Sequence, residues 1–228
     1  MPAILAKIAS SDPDVRMRAR ALARRIAIDY YEAQAPDGMR LIPGTLAITA
    51  TGVKSEGGFY LGVYEVTLGE FRVFAHKENL AGLWKDGAAD LPATDVSLEE
   101  ARAFAKWRDA RLPTLEELAC ATHGGGRLRY PWGQRFDPAR VNSREAGRAT
   151  PAPVGSCPGG LSIQGIADLL GNVAEWTETA ADRRRFVVAG GSYRWYAEQP
   201  PQPYKLEPAS RLPDVGFRLA KSLPALAP

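Results

Sequence analysis

Few residues in this chain have the chemistry to react, and their spacing says more than their number. There are two cysteines, Cys120 and Cys157, and two histidines, His76 and His123. Two cysteines are too few for a disulfide framework, and this pair lacks the spacing of a metal site. Both sit among small or apolar neighbours and read as reduced core thiols. Ser192 follows a glycine pair but has no evident histidine to activate it as a nucleophile. Glu99-Glu100 and Glu116-Glu117 look like paired acids. Each pair opens an expected helix, where carboxylates complement the positive end of the dipole. Gly124-Gly125-Gly126 lacks the lysine and hydroxyl residue that a phosphate-cradling loop requires. No residue is therefore assigned a catalytic role.

Composition agrees with a soluble globular protein. The 228 residues are 45% hydrophobic and 24% charged, with a net charge of +3. The 22 glycines and 18 prolines point to a fold rich in loops. Arg183-Arg184-Arg185 and the arginines near the N-terminus read as solvated surface, so nucleic acid is not an expected partner. No stretch reaches the roughly 20 apolar residues of a membrane span. The start lacks the pattern of a secretory leader, and a cytoplasmic location is expected.

Any site must be positioned by short elements. Residues 12–34 read as one helix, capped by Asp12 with Pro13 in the first turn. Its expected apolar stripe is Val15, Ala19, Leu22, Ile26 and Tyr30. Met39–Ala50 and Gly58–Tyr64 read as strands, paired as a hairpin across Thr51–Gly57. Thr67 with Glu70, Ser97 with Glu100 and Thr114 with Glu117 each place a hydroxyl three residues before a glutamate. That is the spacing of a reciprocal helix cap, so three short helices start there. Residues 124–165 read as a long irregular stretch, of a length that is uncommon unless it carries function or is tied down. Short strands are expected at Thr177–Thr179, Phe186–Ala189 and Val215–Ala220.

Several phrases then occur in one order: Gly38-Met-Arg-Leu-Ile-Pro-Gly44, Tyr64-Glu-Val-Thr67, Arg111-Leu-Pro-Thr114, Tyr130-Pro-Trp-Gly133 and Asn142-Ser-Arg-Glu145. Pro153-Val-Gly155, Gly171-Asn-Val-Ala-Glu-Trp176, Gly190-Gly-Ser192 and Gly216-Phe-Arg218 follow. Together they resemble the formylglycine-generating-enzyme and sulfatase-modifying-factor family. The resemblance covers residues 37–221. It implies an α+β, C-type-lectin-like fold: a small antiparallel sheet, short helices and much irregular loop. The chain then divides into a helical segment, 1–36, and this domain, 37–228. Trp132 and Trp176 read as aromatic plugs between loops, and Arg218 is expected to pair with Glu175.

The resemblance also implies a chemistry and its loss. Such enzymes oxidise a substrate cysteine with oxygen, using two cysteines that hold Cu(I), a soft ion suited to thiolates. The matching positions here are Trp195 and Pro200, and Tyr196 stands where the family has a histidine. A related branch uses non-haem iron held by several histidines, and this chain has two histidines in all. Calcium is the one possible cofactor, through Asn172, the Val173 backbone and Glu175, since a hard cation takes oxygen ligands.

What remains is a recognition surface. Tyr193, Arg194, Trp195, Tyr196, Gln199, Gln202, Tyr204, Lys205 and Arg211 combine the residue types that dominate binding hot spots. The nearby prolines stiffen the segment and reduce the entropy lost on binding. The expectation is a non-catalytic module that binds a protein or peptide through residues 193–211. The variable proteins of diversity-generating retroelements, which resemble this family in fold, diversify the corresponding span. The alternative is an altered oxidase that uses Cys120 or Cys157.

Overall fold

The computed structural model describes residues 2–49, 52–80 and 86–224. The chain forms two compact units, the first built from residues up to Tyr60 and from Ser222 onward, the second from Leu61–Lys221.

In the first unit, helix α1 (Pro2–Ile8) precedes α2 (Pro13–Ala33). The Asp12 carboxylate accepts from the Asp14 and Val15 N–H groups and Pro13 occupies the first turn, as the sequence predicts. The buried face differs from the expected stripe. Ala19, Ala23, Ala27 and Tyr31 are covered, with Ile8 of α1 against the alanines, while Leu22 is 51% exposed. Small side chains let two helices approach closely, and that decides the face over residue size.

Strand β1 (Met39–Ile42), β2 (Thr45–Thr49), β3 (Gly52–Glu56) and β4 (Phe59–Gly62) follow. β1 lies beside β4, and β2 pairs with β3 from Thr45 opposite Glu56 to Thr49 opposite Gly52. The expected pairing across Thr51–Gly57 is corrected here. Residues 52–56 are strand and pair with β2, and residues 50–51 lie outside the described residues. The break comes at Pro43-Gly44, where proline has no N–H to continue a ladder.

The second unit holds α3 (Leu68–Lys77), α4 (Leu98–Trp107) and α5 (Leu115–His123). All three carry the predicted reciprocal caps. Glu70, Glu100 and Glu117 accept from the backbone N–H of Thr67, Ser97 and Thr114 at 3.0, 2.9 and 2.8 Å. α3 and α4 meet around Phe71, Phe74, Phe104 and Phe217, with ring centroids 5.4–6.1 Å apart.

A four-stranded sheet is ordered β7 (Tyr204–Leu206), β6 (Phe186–Ala189), β5 (Ala174–Ala180) and β8 (Val215–Gly216). β5 runs antiparallel to β6 and parallel to β8. β9 (Ala220–Ser222) ends the ordered elements, and Gly62 N–H donates to the Leu219 carbonyl just before it. The Trp176 indole is wholly buried and donates to the Val96 carbonyl at 2.9 Å. Residues 124–165 contain only single turns of 3-10 helix at Pro138–Arg140, Arg144–Ala146 and Pro158–Gly160.

Candidate ligand-binding site

The site begins at two glycines. Gly190 and Gly191 have φ of 91° and 70°, a region that side-chain-bearing residues seldom enter. A Cβ on Gly191 would stand 2.5 Å from Pro201 Cγ, so the proline-rich strand of chain lies directly on this backbone. The turn that follows is held through its main-chain atoms and the Ser192 hydroxyl. Ser192 Oγ donates to Asp214 at 2.8 Å, and Tyr193 N–H donates to the Asn172 carbonyl at 2.9 Å. One oxygen of Glu145 accepts from the N–H groups of both Ala197 and Glu198, at 2.8 and 2.9 Å. Arg144 N–H donates to the Trp195 carbonyl at 3.0 Å. Partial burial opposes the charge on Glu145, but the Ser143 hydroxyl and these N–H donors outweigh it and hold the carboxyl below the usual range.

The nine expected contact residues separate into three groups. Trp195 and Tyr196 face solvent, 41% and 60% exposed. Trp195 stacks on Tyr204 at 5.5 Å and 14°, and Arg144 lies over Tyr196 at 4.9 Å. Burial, with Asp214 nearby, pushes the Tyr204 hydroxyl well above its ordinary pKa. Arg194, Gln199, Gln202 and Lys205 are exposed on the same segment.

The remaining two have partners within the chain. Tyr193 is buried, because the glycine pair turns it inward, and its hydroxyl accepts from Arg194 Nε at 3.0 Å. Arg211 is a strut: both its terminal nitrogens bond Glu100 at the start of α4. Sequence reasoning did not single out Arg129, Arg144 or Glu145 as parts of this site. The Asn142-Ser-Arg-Glu145 phrase was the available signal for two of them.

Beside the turn lies a groove with a volume of about 830 Å3. Its walls are α5, the stretch through Leu128, Arg129 and Pro131, the Leu169-Leu170 pair, and Pro200–Pro203. The His123 ring is fixed by a contact of 3.1 Å between Nδ1 and the Leu128 carbonyl. Cys120 lines this groove, half-buried and free. Cys157 is buried elsewhere, and burial pushes its thiol above the ordinary value, away from a reactive thiolate.

The proposed calcium ligands meet different partners. Both Glu175 oxygens accept from Arg218, at 2.6 and 2.7 Å, in a buried pair. Asn172 Oδ1 accepts from Asn142 Nδ2 at 3.0 Å and from Ala152 N–H at 2.9 Å. The Glu175 carboxylate and the Asn172 side-chain oxygen are thus engaged by N–H donors in this structure. Among the described residues, no group of three or more His, Cys, Asp or Glu is placed to hold a metal ion.

Short capped helices, small sheets, loops braced by buried polar pairs and an exposed turn beside a groove define a C-type-lectin-like scaffold of the formylglycine-generating-enzyme type. Residues 32–223 match the sulfatase-modifying factor enzyme 1-like domain, and the chain belongs to that family.

Among its relatives, hercynine oxygenase of Mycolicibacterium smegmatis is 40% identical over 110 residues, 46% of this chain and 24% of that protein. The inactive C-alpha-formylglycine-generating enzyme 2 of Bos taurus is 39% identical over 119 residues, 46% of this chain and 39% of that protein. The alignments thus span 24% and 39% of those relatives' lengths. The solved structure of the Treponema denticola variable protein 1 overlays with a TM-score of 0.65 at 18% identity, covering 81% of this chain and 94% of that one. CarF overlays with a TM-score of 0.65 at 20% identity, covering 83% and 99%. These likenesses show the fold. Among the described residues, no helix is long and apolar enough to cross a membrane.

Proposed function

We propose that this chain is a non-catalytic binding module that recognises a protein or peptide ligand through the 193–211 segment and the adjoining groove. The observation that carries the reading is Trp195. It stands where the family resemblance puts a copper-ligating cysteine, yet its ring is exposed and stacked on Tyr204. The other such position, Pro200, lines the groove. Aromatic side chains held rigid before binding lose little entropy when a ligand covers them. Two free thiols, one half-exposed, suit a reducing compartment, and we place the protein in the cytoplasm. The likeness to the Treponema variable protein supports a scaffold whose turn can change its side chains. Sequencing the segment in sister isolates tests that version, because diversification confines changes to fixed positions.

The test of the main reading is capture from the source lysate with the intact chain and with a Trp195→Ala, Tyr196→Ala, Tyr204→Ala variant that keeps its fold. A partner held by the first and lost by the second supports the reading. Equal capture by both overturns it for this surface.

A second reading, an altered oxidase acting on a protein or small thiol, draws on Cys120 in the wall of the groove. Stoichiometric Cu(I) binding that disappears in Cys120→Ser would favour it. Failure to bind copper removes it.

A further inference from the structure

The loops beside the turn are unusually basic. Between Arg127 and Arg148 there are six arginines against two acids, Asp137 and Glu145. Both acids are engaged inside the protein. Asp137 pairs with Arg140 at 2.9 Å and accepts from Ala139 N–H. Glu145 is taken up by Ser143 and the two N–H groups of the turn. Arg127, Arg129, Arg135, Arg144 and Arg148 are left without a carboxylate partner among the described residues.

Two of these lie against the turn that carries the exposed aromatics. Arg144 lies over Tyr196 at 4.9 Å. Arg129 lies over Tyr130 at 5.4 Å, and its Nη2 reaches the Glu198 carbonyl at 3.4 Å. Arg194 adds a third guanidinium, 4.0 Å from Asp214. Glu198 is the one acidic side chain on residues 192–199. Arg129 also lines the groove, whose apolar walls include Leu118, Leu128, Leu170, Pro131 and Pro201, with Glu116 an exposed acid on the α5 side.

We infer that the ligand is an acidic extended peptide. It seats an apolar side chain in the groove and places carboxylates on either side against Arg129 and Arg144. The inference rests on the binding reading above and adds the chemistry of the partner. Each guanidinium is an always-charged planar fork that matches a carboxylate with two parallel bonds. Such complementarity sets which partner is accepted and how fast it arrives. A peptide is favoured over a single-stranded nucleic acid for two reasons. Trp195 and Tyr196 each already have one face covered, by Tyr204 and Arg144. The aliphatic recess suits a side chain that a phosphodiester backbone does not carry.

The test is selection of a displayed library of short random peptides on the intact chain, followed by binding measurements on synthetic copies of the selected sequences. The selected peptides should be enriched in Asp and Glu around an apolar residue. Their affinity should fall with added salt and drop by about tenfold or more for Arg129→Glu with Arg144→Glu. The paired Gln variants, checked like the Glu pair for an unchanged melting temperature, should fall between. If selected peptides need Trp195 and Tyr196 but show no acidic excess, or bind the charge-reversed chain equally, the acidic inference is overturned and the binding reading stands. If no peptide depends on Trp195 and Tyr196, both fall. Oligothymidylate that binds tighter than any peptide, and is lost on charge reversal, overturns the peptide in favour of nucleic acid.

Discussion

Arg218 and Glu175 form a buried two-bond ion pair of 2.6 and 2.7 Å. Arg218 further donates to the Gly62 carbonyl at 3.0 Å and the Ala167 carbonyl at 3.1 Å, so one side chain braces three stretches of the second unit. Removing one member of a buried pair leaves the other charged and unpartnered, at a cost of about 3–5 kcal/mol. Arg218→Met and Glu175→Gln are each expected to lower stability by that order in denaturant titrations. Arg218→Lys should not restore it, because an ammonium cannot reproduce the fork.

A second prediction concerns pH. Burial, reinforced by the Asp168 carboxylate, pushes Glu65 well above the ordinary glutamate range. A carboxyl raised in this way stabilises the fold in its neutral form. That contribution is complete below the ordinary glutamate value and is lost as pH climbs through the raised one. Glu65 Oε1 accepts from Asn172 Nδ2 at 3.1 Å, while Oε2 is a buried oxygen without a hydrogen-bond partner. Glu65→Gln keeps the acceptor and stays neutral at every pH. Thermal melts across pH should show the intact chain losing stability toward alkaline pH, and the variant losing less. The gap is expected to be on the order of 1 kcal/mol or more.

Calcium is expected to leave the melting temperature unchanged, whether added or chelated, since the Glu175 and Asn172 oxygens already have N–H partners. A calcium-dependent rise that survives in Arg218→Met but not in Glu175→Gln would contradict this.

Gly191→Ala tests the join between turn and groove. The new methyl meets Pro201 and the backbone must hold a positive φ. A loss of more than about 1 kcal/mol is expected, together with weaker ligand binding, as Pro201 moves from the groove wall. Trp195→Ala with Tyr196→Ala should instead change stability by no more than about 1 kcal/mol while abolishing binding.

Local chemistry was legible in the sequence wherever it closed within a few residues. All three helix caps, the Asp12 cap and the Phe186–Ala189 strand lie where the pattern puts them. The Arg218–Glu175 pair was an expectation from residue type, an arginine in a buried last strand needing a carboxylate, and the structure has it. What failed depends on neighbours distant in the chain. Alanines rather than Leu22 define the buried face of α2, because α1 packs there. Tyr193 and Arg211 read as contact residues by type, and their partners within the chain were not legible. One is turned inward by a glycine pair and the other is claimed by Glu100 from the start of α4. Arg129 enters the site only because a loop far from it in sequence folds against Glu198.

The turn from Ser192 to Glu198 is fastened by its peptide groups and by Ser192, with Glu145 gripping two N–H groups from outside the segment. None of those fastenings uses the side chains of Arg194, Trp195 or Tyr196. The shape of the loop and the chemistry it displays are therefore inherited separately. Substitutions at these three positions are expected to change the displayed chemistry while leaving the fastenings of the backbone in place.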